Sequence, residues 1–275
     1  MNNIVESKRT IYTPSEFAKE SLIYLQEIGQ TKALKKHTSS RSKLDSYLFF
    51  IVLDGTGTLT YNNNIYELEK GSCVFIDCNN KYSHTSDNWT IEWIHFNGQN
   101  VQNIYSKYIN RNGLNIFKSK QFNIYKQLID NIQNITNQND YLKDMNINLE
   151  ISNLLTQIMK ETLFKSNNER NIYDVSAIKK YIDENYLSNL SLDLISDKFY
   201  INKYYLTRLF KSTYGSTINK YILNKKITKA KELLRFSDLN ISNISLQCGF
   251  NDANYFARAF NLAEGTSPNN YRKLW

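Results

Sequence analysis

Two arginines, Arg208 and Arg258, occupy the same place in a short pattern that occurs twice in the chain. Residues 205–210 and 255–260 share a tyrosine, an apolar residue, the arginine and a phenylalanine at matching positions. A guanidinium donates paired hydrogen bonds, which suits it to the O6/N7 edge of guanine. The repeat therefore indicates two copies of one small unit, each of which carries such a group.

Helical spacing gives each copy a buried face and an exposed face. The predicted exposed residues are Tyr204, Thr207, Arg208 and Lys211 in the first copy and Asn254, Ala257, Arg258 and Asn261 in the second. A shorter apolar-periodic segment precedes each copy, and Asn202 and Asp252 are suited to cap the helix that follows. The pattern predicts helix, turn, helix twice, and residues 218–234 predict one long helix between the two units.

Basic residues are concentrated near the first copy. Between residues 203 and 235 the chain has nine of them against the single acid Glu232: Lys203, Arg208, Lys211, Lys220, Lys225, Lys226, Lys229, Lys231 and Arg235. Such a cluster, in a chain of net charge +8, is typical of a surface that binds a polyanion. The alternatives are a solvated helix face for the cluster and salt bridges within the domain for Arg208 and Arg258.

At these residues the chain resembles the AraC/XylS-type (arabinose-regulator) family of bacterial transcription regulators. The family pattern is matched at residues 205–215, 249–260 and 265–272, although Asn261 stands where the family usually has a basic residue. The resemblance implies double-stranded DNA as the partner, and it places five residues on bases: Tyr204, Thr207, Arg208, Asn254 and Arg258. Lys211 and Lys203 are expected to hold phosphates, which position a protein without specifying sequence.

Residues 12–98 have the composition of a β domain. The runs 47–53, 57–61, 65–68, 73–77 and 89–96 are rich in β-branched and aromatic residues. Turns are predicted between them, including one at Asp54-Gly55 and one at residues 62–64. Short strands at this spacing predict a small antiparallel barrel or jelly roll, whose mouth is a usual place for a small ligand.

This segment is similar to the cupin-like sensor domain of the same family, through Gly55-Thr56-Gly57, Glu67-Leu68-x-x-Gly71 and Trp93-Ile94-His95-Phe96-x-Gly98. The resemblance implies effector contacts at Arg41, Tyr82, His84, Trp93 and His95. A sugar or sugar derivative is the expected effector, because an indole face and a guanidinium fork are the pair that a polyol needs. The alternative for Trp93 is a simple core residue.

Histidine spacing argues against a metal-dependent enzyme. The chain has only His37, His84 and His95, with no His-x-His pair, whereas metal-dependent cupins use such a pair with converging carboxylates. Phosphate-loop, nucleophile-elbow and metalloprotease motifs are also missing. The sequence therefore predicts no enzyme activity, metal or cofactor. Two rival classes are a cupin-type enzyme fused to a DNA-binding domain and an effector-independent protein that binds any DNA.

Residues 122–163 have helical periodicity. Two apolar stripes can pack on the barrel or on the same helices of a second subunit: Phe122, Tyr125, Leu128, Ile129, Ile132 and Ile135 form one, and Ile147, Ile151, Leu154, Leu155 and Ile158 the other. The resemblance implies a homodimer through this region. The polar stretch that follows is predicted as a linker, which gives a sensor and dimerisation domain at 1–165, a linker at 166–172 and a DNA-binding domain at 173–275.

The predicted fold class is thus α+β with two domains, a cupin-like β domain with a helical segment followed by an all-α domain. Residues 1–9 lack the apolar core of a signal peptide, and the longest apolar run, 47–53, is of strand length. Three cysteines, Cys73, Cys78 and Cys248, are expected to be buried thiols in a reducing cytoplasm. The resemblance implies an activator of a carbohydrate-use operon that works with RNA polymerase and has no membrane partner.

Overall fold

The chain changes from a strand-rich part to an all-helical part, as the sequence predicts. The computed structural model describes residues 5–111, 113–166 and 175–274, with side chains up to residue 162 and again from residue 175. Two units are formed, residues 1–169 and residues 170–275. The predicted linker at 166–172 lies, apart from its first residue, outside the described residues. Its position and the domain boundaries therefore stay predictions.

The first unit is built on an antiparallel sheet. Its described strands are β1 (Val5–Ile11), β2 (Ile23–Ala33), β3 (His37–Arg41), β4 (Tyr47–Tyr61), β5 (Asn64–Glu69), β6 (Ser72–Asp77), β7 (Tyr82–Gly98) and β8 (Ile116–Lys118). The helices are α1 (Glu16–Ser21), α2 (Val101–Asn110), α3 (Phe122–Thr136) and α4 (Lys143–Ser166). The main strand order is β1-β2-β7-β4-β6-β8, with β3 added beside β7 and β5 beside β4.

The two long strands, β4 and β7, pair with each other along their whole length and change partners on their outer edges. Strand β4 pairs first with β6 and then with β5, and β7 pairs first with β3 and then with β2. A register shift lies between Val52 and Asp54, at the point where β4 changes partner. The turn predicted at Asp54-Gly55 is therefore wrong: 47–53 and 57–61 are one strand with a β-bulge, which bends the sheet without ending it.

Gly55 is required at this bulge for two reasons. Its φ is +79°, a left-handed conformation that side chains disfavour, and a Cβ there would lie 1.6 Å from the carbonyl oxygen of Asn88. Gly55→Ala is expected to destabilise the protein by about 2–5 kcal/mol, the sum of backbone strain and overpacking. Urea denaturation followed by circular dichroism measures the change.

Gly71→Ala is the matched control, because Gly71 has a φ of +87° and a Cβ added there would meet no atom within 4 Å. It should cost only about 1–2 kcal/mol, the strain alone. Equal losses for the two variants would contradict the role assigned to the Asn88 carbonyl.

Both faces of the sheet are buried along the first half of β4 and along β6. Along β4, Phe49 and Ile51 pack towards helices α2 to α4, while Phe50 and Val52 pack towards the interior. The interior cluster also holds Leu59 and other residues from the second half of the bent strands, so the sheet folds back over this cluster. This arrangement agrees with the predicted cupin-like fold.

The apolar stripes of α3 and α4 are buried within the same chain. Tyr125 and Ile132 of α3 and Ile151 and Leu154 of α4 all belong to the cluster on the outer face of the sheet. Of the two arrangements open to these stripes, packing on the sheet is the one that the structure shows. A second subunit would have to contact other residues.

Strands β1, β2 and β3 were not predicted, nor was helix α2. Strand β1 lies at the edge of the sheet, and its middle residues are all exposed, so its sequence carries no apolar alternation. Strand β3, His-Thr-Ser-Ser-Arg, has no apolar residue at all. Propensity and pattern cannot find such strands, because pairing with β2 and β7 is what holds them.

The second unit consists of helices in its described part: α5 (Val175–Asn185), α6 (Leu192–Lys198), α7 (Lys203–Tyr214), α8 (Ile218–Phe236), α9 (Ile241–Gln247), α10 (Ala253–Glu264) and α11 (Pro268–Lys273). Helices α6 and α7 form one helix-turn-helix, and α9 and α10 form the other. The two predicted helix-turn-helix units and the predicted joining helix, α8, are therefore confirmed.

The local signals that begin and end these helices are duplicated. The side chains of Asn202 and Asp252 accept hydrogen bonds from the first turns of α7 and α10, as predicted. Gly215 and Gly265 end the same helices at φ +76° and +71°.

Two apolar cores fill the second unit, and α8 contributes to both. Ile218 and Ile222 at its beginning pack with α5, α6 and α7, whereas Ile227, Ala230 and Leu234 pack with α9 and α10. Because one continuous helix belongs to both cores, it sets the distance between the two helix-turn-helix units.

Candidate functional site

A cavity of about 260 Å³ lies in the bent sheet of the first unit. This volume is just below the usual range for small-molecule pockets, so it suits a small ligand. The five residues predicted to contact an effector all line it: Arg41, Tyr82, His84, Trp93 and His95. Side chains that are far apart in the sequence, from Arg41 to His95, thus line one cavity.

Strand register explains why these side chains converge. Alternate residues of β7 face the interior, and its neighbours place Arg41 opposite Tyr82 and Glu27 opposite His95. Gly29 lies opposite Trp93, where a Cβ would be 2.8 Å from the indole Cζ2 atom. The missing side chain at Gly29 therefore makes room for the indole ring.

Trp93 is buried against a charged neighbour. Its Nε1 donates a 3.4 Å hydrogen bond to Thr31 Oγ1, and the Arg9 guanidinium lies 5.6 Å from the centre of its ring. Arg9 also forms a 3.2 Å ion pair with Glu27. One face of the indole is thus covered by Arg9, so a sugar ring would stack on the other face or displace this guanidinium.

Arg9 and Glu27 are cavity residues that sequence reasoning missed. They lie on β1 and β2, two strands that the sequence did not reveal, and neither belongs to a motif. The weak apolar alternation in residues 23–33 is the one signal that could have placed Glu27 on a strand.

The two histidines of the cavity are half-buried and are neutral at pH 7. Burial, followed by the positive charge of Arg41, lowers the pKa of both His84 and His95 to about 4. His95 Nδ1 forms a 2.9 Å hydrogen bond with Ser46 Oγ, whereas His84 Nδ1 is buried and has no partner among the described residues. His84 can therefore bind a hydroxyl group of a ligand without contributing charge.

Arg41 lies at the cavity wall with its side chain exposed, and its hydrogen-bond partners among the described residues are neutral. Its Nη1 donates to Ser39 Oγ and to the Ser40 carbonyl, both at 3.2 Å. No carboxylate in the described part of the chain forms an ion pair with it. Tyr82 beside it is buried, and burial raises the pKa of its hydroxyl.

Metal-binding and membrane-spanning features are both missing from the described residues. No group of three His, Cys, Asp or Glu side chains converges there as metal ligands would. No described helix has the length and apolar character needed to cross a membrane.

The second candidate site is the exposed face of α7 and α10. Tyr204, Arg208 and Lys211 are exposed on α7, as are Asn254 and Arg258 on α10, while the opposite faces hold the buried Leu206, Phe210, Phe256 and Phe260. Thr207 is half-buried, and its hydroxyl donates to the Lys203 carbonyl at 2.8 Å. The repeated pattern therefore places equivalent polar side chains on two equivalent helices.

Neither Arg208 nor Arg258 forms a salt bridge with any described acidic residue. The alternative of salt bridges within the domain therefore does not hold in this part of the structure. Lys203 does have such a partner, Asp193 at 3.3 Å, but both side chains are exposed and such pairs are weak. A phosphate could displace Asp193 at little cost.

Several basic residues of the cluster at 203–235 already have partners within the second unit. Lys225 pairs with Asp183 at 3.2 Å, Lys229 with Glu232 at 2.9 Å and Lys231 with Glu264 at 2.8 Å. Lys226 donates to the Gly249 carbonyl at 2.6 Å. Lys225 and Lys231 thus pair with other helices of the same unit and Lys229 with its own helix, whereas Arg208 and Lys211 on α7 and Lys220 on α8 form no salt bridge with a described acid.

Comparisons with known proteins match both halves of the chain. Residues 24–171 match the model of an AraC-like ligand binding domain, and residues 195–274 match that of a helix-turn-helix domain. The Msm operon regulatory protein of Streptococcus mutans is 25% identical over 89% of this chain and 90% of its own length. The transcriptional activator RhaS of Shigella sonnei is 23% identical over 83% and 86%. An uncharacterized helix-turn-helix regulator of Escherichia coli, YijO, is 38% identical over 36% of this chain and 35% of its own length.

Proposed function

We propose that this chain, which belongs to the AraC/XylS-type family of DNA-binding transcription regulators, changes transcription when a sugar binds in the cavity of its ligand-binding domain. The observation that carries the proposal is the convergence of Arg41, Tyr82, His84, Trp93 and His95 on one cavity. Aromatic walls, neutral imidazoles and hydroxyl groups together suit a polyhydroxylated ring.

For the DNA, we propose that α7 and α10 enter successive major grooves, which face the same side about 34 Å apart. Tyr204, Thr207 and Arg208 would then contact bases in one groove, and Asn254 and Arg258 in the next. Lys211 and Lys203 would hold phosphates. Two features support this arrangement: the two arginines form no salt bridge with a described acid, and one helix belongs to both cores.

Binding of the effector controls transcription only if it favours one arrangement of the protein over another. A ligand with equal affinity for both arrangements shifts neither. The proposal therefore requires that the sugar change the affinity of the protein for its DNA site.

The decisive experiment measures binding of the purified protein to the promoter DNA beside its own gene, at fixed salt and against random competitor DNA, with and without a panel of sugars. Selective binding that changes with one sugar is the expected result. Selective binding that ignores every sugar would contradict the effector class, and equal affinity for all duplexes would contradict sequence-specific regulation.

We also propose a homodimer that forms through the start of α4 and not through its buried stripe. Leu142, Met145 and Leu149 are 50%, 47% and 56% exposed and follow each other at helical spacing, beside the fully exposed Tyr141. Leu149→Glu is expected to shift the protein from dimer to monomer in sedimentation velocity. Ile65→Glu, at a 71% exposed position on β5, is the control and should leave the dimer intact.

Activation of a carbohydrate-use operon, in contact with RNA polymerase, completes the proposal. Transcription in vitro from the same promoter, with purified polymerase and the sugar that changes DNA binding, measures it. A sugar-dependent decrease in transcript would contradict the sign of regulation that is proposed.

A further inference from the structure

We infer that the effector is a sugar derivative with one acidic group, a carboxylate or a phosphate, and that Arg41 binds this group. The inference rests on the proposed function, because it names the ligand of the same cavity. It goes further in assigning Arg41 to an anion and not to a hydroxyl group.

The first argument is the balance of charge around the cavity. Its lining contains two arginines, Arg9 and Arg41, and Glu27 is the one acid among the described lining residues. Glu27 is already paired with Arg9 at 3.2 Å. One positive charge is therefore left without a carboxylate, and it belongs to Arg41.

The second argument is the type of contact that Arg41 makes. Its Nη1 donates to a serine hydroxyl and to a backbone carbonyl at 3.2 Å, both neutral acceptors at the long end of the hydrogen-bond range. A guanidinium forms shorter and stronger paired bonds with a carboxylate or a phosphate. An acidic ligand would thus supply the charged partner that the described residues do not.

The third argument concerns His84 and His95. They carry no negative charge that could pair with Arg41 and no positive charge that could bind an anion in its place. Burial and the charge of Arg41 lower the pKa of His84 and His95, so both imidazoles are uncharged. Arg41 has an exposed side chain, and it lines the same cavity as both rings. The Nδ1 atom of His84, which has no partner among the described residues, can form a hydrogen bond with a ligand hydroxyl group. The ligand should therefore carry both an anionic group and hydroxyl groups.

The size of the cavity limits the ligand to about one sugar ring. At about 260 Å³ the cavity is smaller than the pockets that hold drug-sized molecules. A monosaccharide with a single acidic substituent fits these limits better than an oligosaccharide.

The test is isothermal titration calorimetry on the full chain with matched sets of ligands. Each set contains a neutral sugar, its uronate and its 6-phosphate, for example glucose, glucuronate and glucose 6-phosphate, and the galactose equivalents. We expect one acidic member to bind at least about tenfold more tightly than its neutral parent, in line with charge-assisted hydrogen bonds. The uronate and phosphate arms tell which acid is preferred.

Arg41→Gln should then remove most of that preference, lowering the affinity for the acidic sugar about tenfold or more, with little change for the neutral parent. Lys36→Gln is the matched control, because it removes one exposed positive charge next to β3 without lining the cavity. Thermal melting of both variants checks that they fold like the unmodified protein.

Two results would overturn the inference. The first would leave the proposed sugar effector intact, and the second would contradict it as well. If neutral sugars bind as tightly as their acids and Arg41→Gln changes neither, the anion site is wrong and the sugar-controlled regulator stands. If no sugar of any set binds while selective DNA binding persists, the sugar effector and the anion site are both wrong.

Discussion

Arg208→Ala is expected to weaken binding to the preferred DNA site by about 1–3 kcal/mol and to relax the choice of base at one position. Arg208 is exposed on α7 and forms no salt bridge with a described acid, so its removal leaves no buried charge behind. The loss would therefore come from the DNA contact and not from the fold. Fluorescence anisotropy with a set of duplexes that differ at single base pairs measures both effects.

Two lysine variants serve as comparisons for Arg208→Ala. Lys211→Ala, three residues along the same helix, should weaken all duplexes alike and reduce the salt dependence by about one unit, as expected for a phosphate contact. Lys180→Ala removes an exposed charge from α5 and should change little. If Arg208→Ala also weakened every duplex equally, Arg208 would be a phosphate contact and not a reader of bases.

Arg258→Ala tests base reading by the second helix-turn-helix unit, because Arg258 has the equivalent position on α10. Each variant should relax a different base position, and the two positions should lie about one helical turn apart. Relaxation at the same position by both variants would contradict binding in two grooves.

Phe260→Ala is expected to lower the free energy of unfolding by about 3–5 kcal/mol, the usual cost of removing a buried aromatic ring. Phe260 has no exposed surface and makes edge-to-face contacts with Phe256 and Tyr271, at ring distances of 5.8 and 5.4 Å. It lies in the core that the second helix-turn-helix shares with the end of α8. Urea denaturation followed by helical circular dichroism measures the loss.

Leu262→Ala is the control for Phe260→Ala, two residues further along α10. Leu262 is 89% exposed, so its truncation should change the free energy of unfolding by less than about 0.5 kcal/mol. A small effect of Phe260→Ala, or a large effect of Leu262→Ala, would contradict the packing of this helix. Loss of base choice at the second groove, with the first retained, is expected for the Phe260 variant under conditions that unfold α10.

Much of the helical unit could be predicted because its signals are local. The caps at Asn202 and Asp252 act within one turn of their helices, and the apolar spacing of Leu206 and Phe210 lies within one element. The duplication strengthened each of these signals, since an error in one copy would have disagreed with the other. The resemblance added the residues expected to touch DNA, which periodicity alone could not identify.

The β unit was predicted only where its strands are apolar. Strand β6 and the second half of β7 were found because both are buried, whereas β1 and β3 are polar and depend on their partners. The turn predicted at Asp54-Gly55 was wrong for a related reason. Asp and Gly favour turns, but a β-bulge uses the same conformation, and pairing with β7 carries the strand through it.

The sequence alone determined the two helix-turn-helix units, the joining helix, and the face of α7 and α10 that is exposed. Tertiary structure alone decided which distant groups meet: Arg9 with Glu27, Lys225 with Asp183, and the stripes of α3 and α4 with the sheet. The physical reason is that helix periodicity and capping act over a few residues, whereas burial and ion pairing depend on where the whole chain places each group. The charge left on Arg41 is therefore visible only in the folded cavity, where Glu27, the one acid among the described lining residues, already has a partner.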